Sequence, residues 1–143
     1  MAITVTIQNV KGMLRQNSDP AKITIDCTSA ANGVVTGGVA ATYAAASTSN
    51  PQISKVSGYI RKIEWAPGLN GDGANNLPTD QCDFTLNDSY GYDVAAGYLA
   101  NQSGNNAGAV VPVSPIFVDT ELTLNGANMG NAAKGRLIIH LAN

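Results

Sequence analysis

Ten residues of this chain are acidic, and five of them lie close together: Asp72, Asp80, Asp83, Asp88 and Asp93 fall within twenty-two positions. Calcium prefers carboxylate oxygens as ligands, so a cation site is the first chemistry to weigh. Calcium-binding loops place these ligands at alternate positions, whereas Asp83, Asp88 and Asp93 are spaced by five. Asp88 is better explained as an Asx cap of its own turn. The sequence therefore predicts no metal site and no cofactor.

The chain has one histidine, His140, which limits the nucleophilic catalysis that it could support. A Ser-His-Asp arrangement needs an imidazole held between a nucleophile and a carboxylate. His140 lies close to the end of the sequence, on the predicted outward face of the last strand, and no G-x-S-x-G turn is present to expose a serine. The glycine motifs that bind phosphate are also missing, because the stretch 71–73 is too short to count. The sequence therefore predicts no catalytic residue and a non-enzymatic protein.

Three tyrosines, Tyr90, Tyr92 and Tyr98, cluster around the acidic turn and are a second candidate for chemistry. Exposed aromatic rings, with Trp65 as a further member, would form a stacking platform for a sugar. Tyrosines more commonly pack in or beside a core, with the hydroxyl group hydrogen-bonded at the rim. We therefore favour packing for Tyr92 and keep the sugar platform as the alternative.

These side chains must be positioned by β-strands, because apolar and polar residues alternate through much of the chain. In the clearest stretch, Cys82, Phe84 and Leu86 point one way and the intervening polar residues the other. The acidic turn 88–91 then reverses the direction of the chain, and regular structure is expected to resume beyond it. The same alternation puts apolar residues on one side of three further strands, at Ile3, Val5, Ile7, Ile23, Ile25, Cys27, Leu137, Ile139 and Leu141.

Two strands are predicted to be irregular. In the longest, KVSGYIRKIEWAP, Ile60 and Ile63 fall on opposite faces, so either both faces are covered or a bulge near Arg61 and Lys62 shifts the register. The stretch 110–118 contains two prolines, which cannot donate to a ladder and imply an edge position. We therefore expect irregular structure at both places.

About eight short strands separated by turn signals predict an all-β fold, an antiparallel β-sandwich or jelly-roll-like domain with long polar loops. At 143 residues the chain has the size of one domain. We divide it into an N-terminal strand or arm with its loop, residues 1–20, and a single β-sandwich domain, residues 21–143. Cys27 and Cys82 occupy apolar-facing positions of separate strands, which favours buried thiols over a disulfide.

The composition excludes several classes of function. Only 13% of the residues are charged, about half the usual share, which suits either a surface that lies against other protein or simply a turn-rich β fold. The net charge is −2 and the eight Lys and Arg residues are scattered, so no basic stripe is present to bind nucleic acid. No apolar run approaches the roughly 18 residues that span a bilayer, and the N-terminus lacks the pattern of a signal peptide. We therefore expect synthesis in a cytoplasm, no membrane and no direct contact with nucleic acid.

Four motifs follow one another in a characteristic order. They are KITIDCTSAANGVVTG, SGYIRKIEWAPG, PTDQCDFTLNDSYGYDVAAG and ELTLNGANMGNAAKGRLIIHL, and they span residues 22–141 apart from the loops. In this order they resemble a widespread group of tailed-bacteriophage structural proteins, in which a Pro-Gly loop leads to a strand, an acidic D-x-x-G-x-D turn and a closing pair of strands. The chain departs from the group at Cys82, where tyrosine is more common, and in its segment up to Asp19.

The resemblance implies a structural component of a phage virion, made in the host bacterial cytoplasm. We expect a capsid decoration (cement) subunit that stabilises the shell, acts as a homotrimer and binds the major capsid protein or another virion protein. A tail or neck component and a carbohydrate-binding β-sandwich module are the alternatives. The expected contacts are the first strand and the polar loops 68–77 and 101–109. The candidate interface residues are Ile3, Val5, Ile7, Asn70, Asn75, Asn76, Asn105 and Asn106.

Overall fold

The computed structural model describes residues 2–8, 21–38, 55–79 and 81–142, which form nine β-strands and one short 3-10 turn at Leu69–Gly71. All the strand pairs are antiparallel. The strands, numbered in chain order, are β1 (Ala2–Gln8), β2 (Ala21–Thr28), β3 (Val35–Gly38), β4 (Lys55–Pro67), β5 (Asp83–Asn87), β6 (Gly108–Val110), β7 (Ile116–Glu121), β8 (Thr123–Ala127) and β9 (Lys134–Ala142).

The strands form two sheets. The six-stranded sheet has the order β1-β2-β9-β4-β6, with β7 also paired to β4, and the three-stranded sheet has the order β3-β8-β5. Side chains from both sheets meet in one buried core, so the fold is an antiparallel β-sandwich, as the alternation predicts. The described residues contain one strand more than the eight or so expected, because the stretch 110–118 contributes to both β6 and β7.

The core is built by the period-two alternation of the strands. Every second residue of β5, β8 and β9 is buried, and the inward positions predicted in β2 and β9 are all buried. The rings of Trp65 in β4 and Phe84 in β5, with centroids 5.0 Å apart, connect the two sheets. The largest fully buried side chains are Trp65, Phe84, Ile23, Ile25, Ile60, Ile63, Leu86, Leu99, Leu122, Leu124, Met129 and Leu137.

Two glycines make room for these aromatic rings. A Cβ atom added to Gly135 of β9 would collide with the indole of Trp65, and one added to Gly126 of β8 would lie 2.7 Å from Cε1 of Phe84. Gly126 is also the register partner of Phe84, so the ring lies over the neighbouring strand where no side chain competes for the space. The packing of the two sheets therefore depends on small residues as much as on large ones.

The irregularity predicted in the longest strand is a β-bulge. Consecutive residues of β9 pair with Ile60 and Lys62, so Arg61 has no partner position on that strand. The extra residue brings both Ile60 and Ile63 into the core and leaves Arg61 and Lys62 together on the outer face. The bulge thus reconciles the imperfect alternation with a single buried face.

One sheet edge is covered by a following segment of the chain, whereas another is formed by the Pro-containing stretch itself. Residues 93–102 cover the edge formed by β5: the amide of Phe84 donates to the carbonyl of Leu99, and Cys82 and Gln102 form an isolated bridge. Such cover removes unpaired backbone groups from a sheet edge. The edge position predicted for the Pro-containing stretch is confirmed, since β6 and β7 pair only with β4 in the described parts of the chain.

The acidic turn is closed by its own aspartate, as predicted. The carboxylate of Asp88 accepts hydrogen bonds from the amides of Tyr90 and Tyr92, at 2.9 and 3.0 Å. The segment beyond the turn, where regular structure is expected to resume, is not a strand, because residues 94–100 form successive turns. Ala96 has a φ of 51°, a backbone conformation that is incompatible with a strand.

Cys27 and Cys82 are buried thiols, as the sequence predicts. The Sγ–H of Cys27 donates to the carbonyl of Gly135 at 3.4 Å. Burial raises the pKa of Cys27 to about 12, so this thiol stays protonated at neutral pH. A protonated, buried thiol is neither a nucleophile nor a metal ligand.

Candidate functional site

The acidic residues of the loops bind the backbone of their own loops. Asp72 accepts hydrogen bonds from the amides of Asn75 and Ala74, and these bonds hold the pKa of Asp72 below its ordinary value. A carboxylate engaged in this way stabilises its loop in one conformation. Asp93 accepts three amide hydrogen bonds, from Leu86, Ala95 and Gly97.

The aspartates of the cluster that the structure describes are not gathered around one point. Asp83 accepts hydrogen bonds from the amide of Asn101 and the side chain of Asn128, at 2.9 and 2.8 Å. Among the residues that the structure describes, no three His, Cys, Asp or Glu side chains are arranged to hold a metal ion together. Asp80, the remaining member of the cluster, lies outside the described residues.

The outer face of the six-stranded sheet carries a network of charged side chains. Asp26 of β2 and Arg136 of β9 are register partners joined by two hydrogen bonds of 2.6 and 2.8 Å. Glu64 of β4 lies 2.7 Å from Nζ of Lys62 and 3.2 Å from Nε2 of His140. Hydrogen bonds from Lys62 and His140 hold the pKa of Glu64 below its ordinary value. His140 therefore lies on the outward face, where the sequence places it, as a member of this network.

Four large apolar side chains are exposed along the edge where β4 meets β6 and β7. Tyr59 and Phe117 are register partners with ring centroids 5.2 Å apart, and they are 41% and 60% exposed. Val111 and Val113 lie in the segment that joins β6 to β7 and are 68% and 94% exposed. We call Tyr59, Phe117, Val111 and Val113 the apolar edge surface. Exposed apolar groups that share one edge are typical of a protein contact site.

The candidate interface residues chosen from the sequence do not include the apolar edge surface, although the sequence carries a signal for half of it. Phe117 directly precedes the buried Val118, and Tyr59 directly precedes the buried Ile60. A period of two therefore places both aromatic rings on the outer face of the sheet. That the two rings meet depends on the pairing of β4 with β7, which the sequence does not reveal.

A second exposed aromatic site is the acidic turn. We call residues 88–93 the acidic tyrosine turn, because Tyr90 and Tyr92 are 85% and 73% exposed there, between Asp88 and Asp93. The packing that the sequence favours for Tyr92 is therefore wrong: the Asx cap holds the backbone in a tight projecting turn, and its side chains extend away from the core.

Trp65, by contrast, cannot serve as a stacking platform. Its ring is buried between the two sheets, and its Nε1–H donates to the carbonyl of Ser103 at 2.7 Å. The sequence offers Trp65 as a further platform residue because alternation alone does not say which face of β4 is covered. The bulge and the second sheet decide that Trp65 points inward.

The two polar loops predicted as contacts lie at the same end of the sandwich, where β4 ends. Loop 68–77 follows β4 directly, and the Trp65 hydrogen bond attaches loop 101–109 to the same strand. Their role as contacts remains a prediction. The candidate residues in these loops are all exposed: Asn70, Asn75, Asn76, Asn105 and Asn106.

The first strand, the third predicted contact, is an edge strand of the six-stranded sheet. Ile3, Val5 and Ile7 lie opposite the inward residues of β2 in a seven-residue ladder. The other edge of β1 has no paired strand among the described residues. Whether β1 contacts a partner also remains a prediction, and its pairing with β2 shows that it belongs to the sheet of its own chain.

A cavity of about 290 Å³ opens beside the Leu69–Gly71 turn. Both charged side chains in its wall already have partners, since Asp26 binds Arg136 and Nζ of Lys134 lies 3.0 Å from Oγ1 of Thr28. Because these charged side chains already have partners, we interpret the cavity as a gap between a loop and a sheet face. Its lining consists of Asp26, Cys27, Thr28, Leu69, Asn70, Lys134 and Gly135.

In the described ranges of the chain, no helix is long and apolar enough to cross a bilayer. A scan of protein-family models, a search of curated proteins and a search of solved structures each found no match to this chain.

Proposed function

We propose that this chain is a non-enzymatic structural protein of a phage virion, a capsid decoration (cement) subunit that stabilises the assembled shell. The assignment to a phage comes from the resemblance of its four ordered motifs. The observation that carries the structural role is the apolar edge surface, where exposed aliphatic and aromatic groups are held on a rigid sandwich. The loop carboxylates support the same role, because they bind their own backbone.

A decoration subunit acts by mass action. It binds the assembled shell in preference to free shell subunits, so each contact that it makes across neighbouring subunits favours the assembled state. The apolar edge surface lies beside residues 59–63 of β4, whereas loop 68–77 follows the end of that strand. The two surfaces would therefore contact different neighbours, which is what bridging requires.

Purified virions test the location of the protein. Quantitative gel densitometry measures its copy number relative to the major capsid protein. Head decoration requires a copy number comparable to that of the major capsid protein, whereas a tail or neck component requires far fewer copies. A protein that is missing from purified virions would contradict both assignments.

The role of the apolar edge surface is tested on shells that lack this protein. Val113→Asp places a charge at a side chain that is almost fully exposed, so we expect the variant to fold and to bind shells at least about tenfold more weakly. Asn131→Asp, which adds the same charge at an exposed turn outside the surface, is the matched control. Equal shell occupancy and equal shell melting temperature for both variants would remove Val113 from the interface.

A carbohydrate-binding module is the second candidate, and the exposure of Tyr90 and Tyr92 is the observation that favours it. Exposed tyrosine rings can stack on the apolar face of a sugar. A glycan array is the direct test: specific hits that disappear in Tyr90→Ala would support this candidate, and an array without hits would dismiss it.

A further inference from the structure

Lysine and arginine are unevenly distributed in this chain. From Gly68 to Ala133 the sequence contains neither, and the acidic residues of that stretch include Asp83, Asp88 and Asp93 in the loops and edge of the three-stranded sheet and Asp119 and Glu121 in β7 of the six-stranded sheet. On β2, β4 and β9 of the six-stranded sheet, cations outnumber carboxylates. Among the residues of β2, β4 and β9 whose side chains the structure describes, the charged ones on the outer face are Lys22, Asp26, Arg61, Lys62, Glu64, Lys134 and Arg136.

The β-bulge concentrates these cations beside the aromatic pair. Because the bulge adds one residue, Arg61 and Lys62 are both on the outer face, two and three residues after Tyr59, whose ring packs against Phe117. Arg61 is exposed, and Lys62 also binds Glu64. We call Tyr59, Arg61, Lys62 and Phe117 the bulge site. It shares Tyr59 and Phe117 with the apolar edge surface, so in an oligomer these two rings would contact the second copy, and Val111 and Val113 would be left for the shell.

The acidic tyrosine turn has the complementary chemistry. Its two exposed tyrosines can stack on aromatic rings and on a guanidinium group. Asp88 and Asp93 are half-buried and accept backbone amides, and their negative charge lies beside the tyrosines, opposite in sign to Arg61 of the bulge site. The turn is also rigid, because Asp88 caps it and Nδ2 of Asn87 donates to the carbonyl of Gly91 at 2.7 Å. A rigid turn loses little conformational entropy when it binds.

We propose that the acidic tyrosine turn of one copy binds the bulge site of a second copy. The turn belongs to the three-stranded sheet and the bulge site to the outer face of the six-stranded sheet. Both are exposed in the single chain, so the contact joins two molecules. A second copy is the partner that fits best, because both halves of the complementary pair are present on one chain.

The contact joins different surfaces of the two copies, and such a contact forms a ring when the rotation between copies closes. A ring that closes at three copies is the homotrimer expected for the decoration subunit. In this respect the inference rests on the proposed function, although the contact itself can be measured on the isolated protein.

Sedimentation velocity of the full chain over a dilution series tests the contact. The wild-type protein should form oligomers that dissociate on dilution, with weaker association at high salt. Arg61→Glu and Tyr90→Ala alter exposed side chains, and each should raise the dissociation constant at least about tenfold. Asn105→Glu, at the opposite end of the sandwich, is the control that should leave the constant unchanged.

A mixing experiment distinguishes this contact from a symmetric contact, in which both copies would use the same surface. The Tyr90→Ala protein keeps an intact bulge site, and the Arg61→Glu protein keeps an intact turn. Each variant alone should be largely monomeric, while an equal mixture should form one-to-one heterodimers through the single intact pair of surfaces. Formation of the heterodimer would also show that both variants are folded.

Three outcomes would overturn the inference: a wild-type protein that is monomeric at every concentration, oligomers that neither variant weakens, or a mixture that forms no heterodimer. A monomeric wild-type protein that instead bound another acidic virion protein would also overturn it. The proposed function fails separately, if the protein is missing from purified virions, and that result leaves the contact between copies standing.

Discussion

At the scale of single residues, the polar groups of the loops and turns serve mainly to hold backbone in place. Asp88 and Asp93 accept amide hydrogen bonds of their own turn. Ser29, a buried polar residue, donates to the carbonyl of Gly130 at 2.6 Å and accepts the amide of Ala133 at 2.9 Å. A buried hydroxyl with both partners satisfied costs little, and it joins the end of β2 to the turn before β9.

The close approach of the Trp65 ring to Gly135 can be tested directly by a substitution. Gly135→Ala would place a methyl group into the indole of Trp65, and we expect a loss of about 1–3 kcal/mol in the free energy of unfolding. Gly108→Ala is the matched control, because an added Cβ there meets no atom within 4 Å. Urea unfolding of the two variants measures the difference, and equal midpoints would show that the indole can move aside.

The buried thiol of Cys27 leads to a second prediction at this scale. Its folded pKa of about 12 lies above the ordinary value of 9.0, so the stability that it contributes is present below pH 9 and is lost as the pH rises toward 12. At pH 8 a thiol reagent should leave native Cys27 unmodified and should modify it rapidly in urea. Mass spectrometry identifies the modified cysteine, and rapid labelling of native Cys27 would show that this part of the sheet opens readily.

At the scale of the elements, the bulge in β4 has both a structural and a chemical effect. It keeps Ile60 and Ile63 in the core, and it places Arg61 and Lys62 side by side on the outer face. A bulge is one inserted residue, and it changes which side chains a strand presents without changing the strand order. The element that completes the core is thus also the element that builds the bulge site.

Deletion of Arg61 tests whether the bulge is an insertion in a regular strand. Without Arg61, the remaining residues would alternate regularly, with Ile60 and Ile63 inward and Lys62 outward in the same register to β9. We expect this deletion to change the free energy of unfolding by no more than about 1 kcal/mol, while removing the exposed cation of the bulge site.

Deletion of Glu64 is the matched comparison. In that chain no register keeps Ile60, Ile63 and Trp65 all inward, because a slip of one residue moves side chains to the other face. We expect a large loss of stability, measured by the same urea titration. If both deletions were equally harmful, the bulge would be required for folding and could not be described as a tolerated insertion.

At the scale of the whole molecule, the sandwich depends on strands from both ends of the sequence. β1 pairs with β2 along its whole length, and β9 lies between β2 and β4. The gathering of cations is a property of the same scale, because the neighbouring strands β2, β9 and β4 bring together cations that are far apart in sequence. A partner would interact with the combined charge of this face, so we expect assembly to weaken as the salt concentration rises.

Deletion of residues 1–10 is a test at this scale. It removes β1 and leaves β2 as a new edge strand, so we expect the melting temperature to fall by about 5 °C or more. Circular dichroism measures the transition. An unchanged melting temperature would show that β1 contributes little to the fold, and only then would weaker shell binding by this truncation report on an interface.

The predictions from sequence succeeded where the relevant physics is local. The alternation in β2, β5 and β9 identifies the buried residues correctly, because a strand with one covered face must alternate. The Asx cap of Asp88 follows from residues within its own turn. The packing predicted for Tyr92 is wrong because the sequence does not show that its turn projects from the core.

The order of neighbouring side chains is enough to predict the all-β class and the burial of both cysteines, and it locates the irregularity of β4 near Arg61 and Lys62 while leaving a bulge and two covered faces as alternatives. The three-dimensional fold is needed to show that β4 has a bulge, that Trp65 is enclosed between the sheets, that Tyr59 and Phe117 meet on an outer face, and that Tyr90 and Tyr92 project into solvent. These outcomes depend on which strands pair and which sheet covers which, and residues far apart in the chain make those contacts.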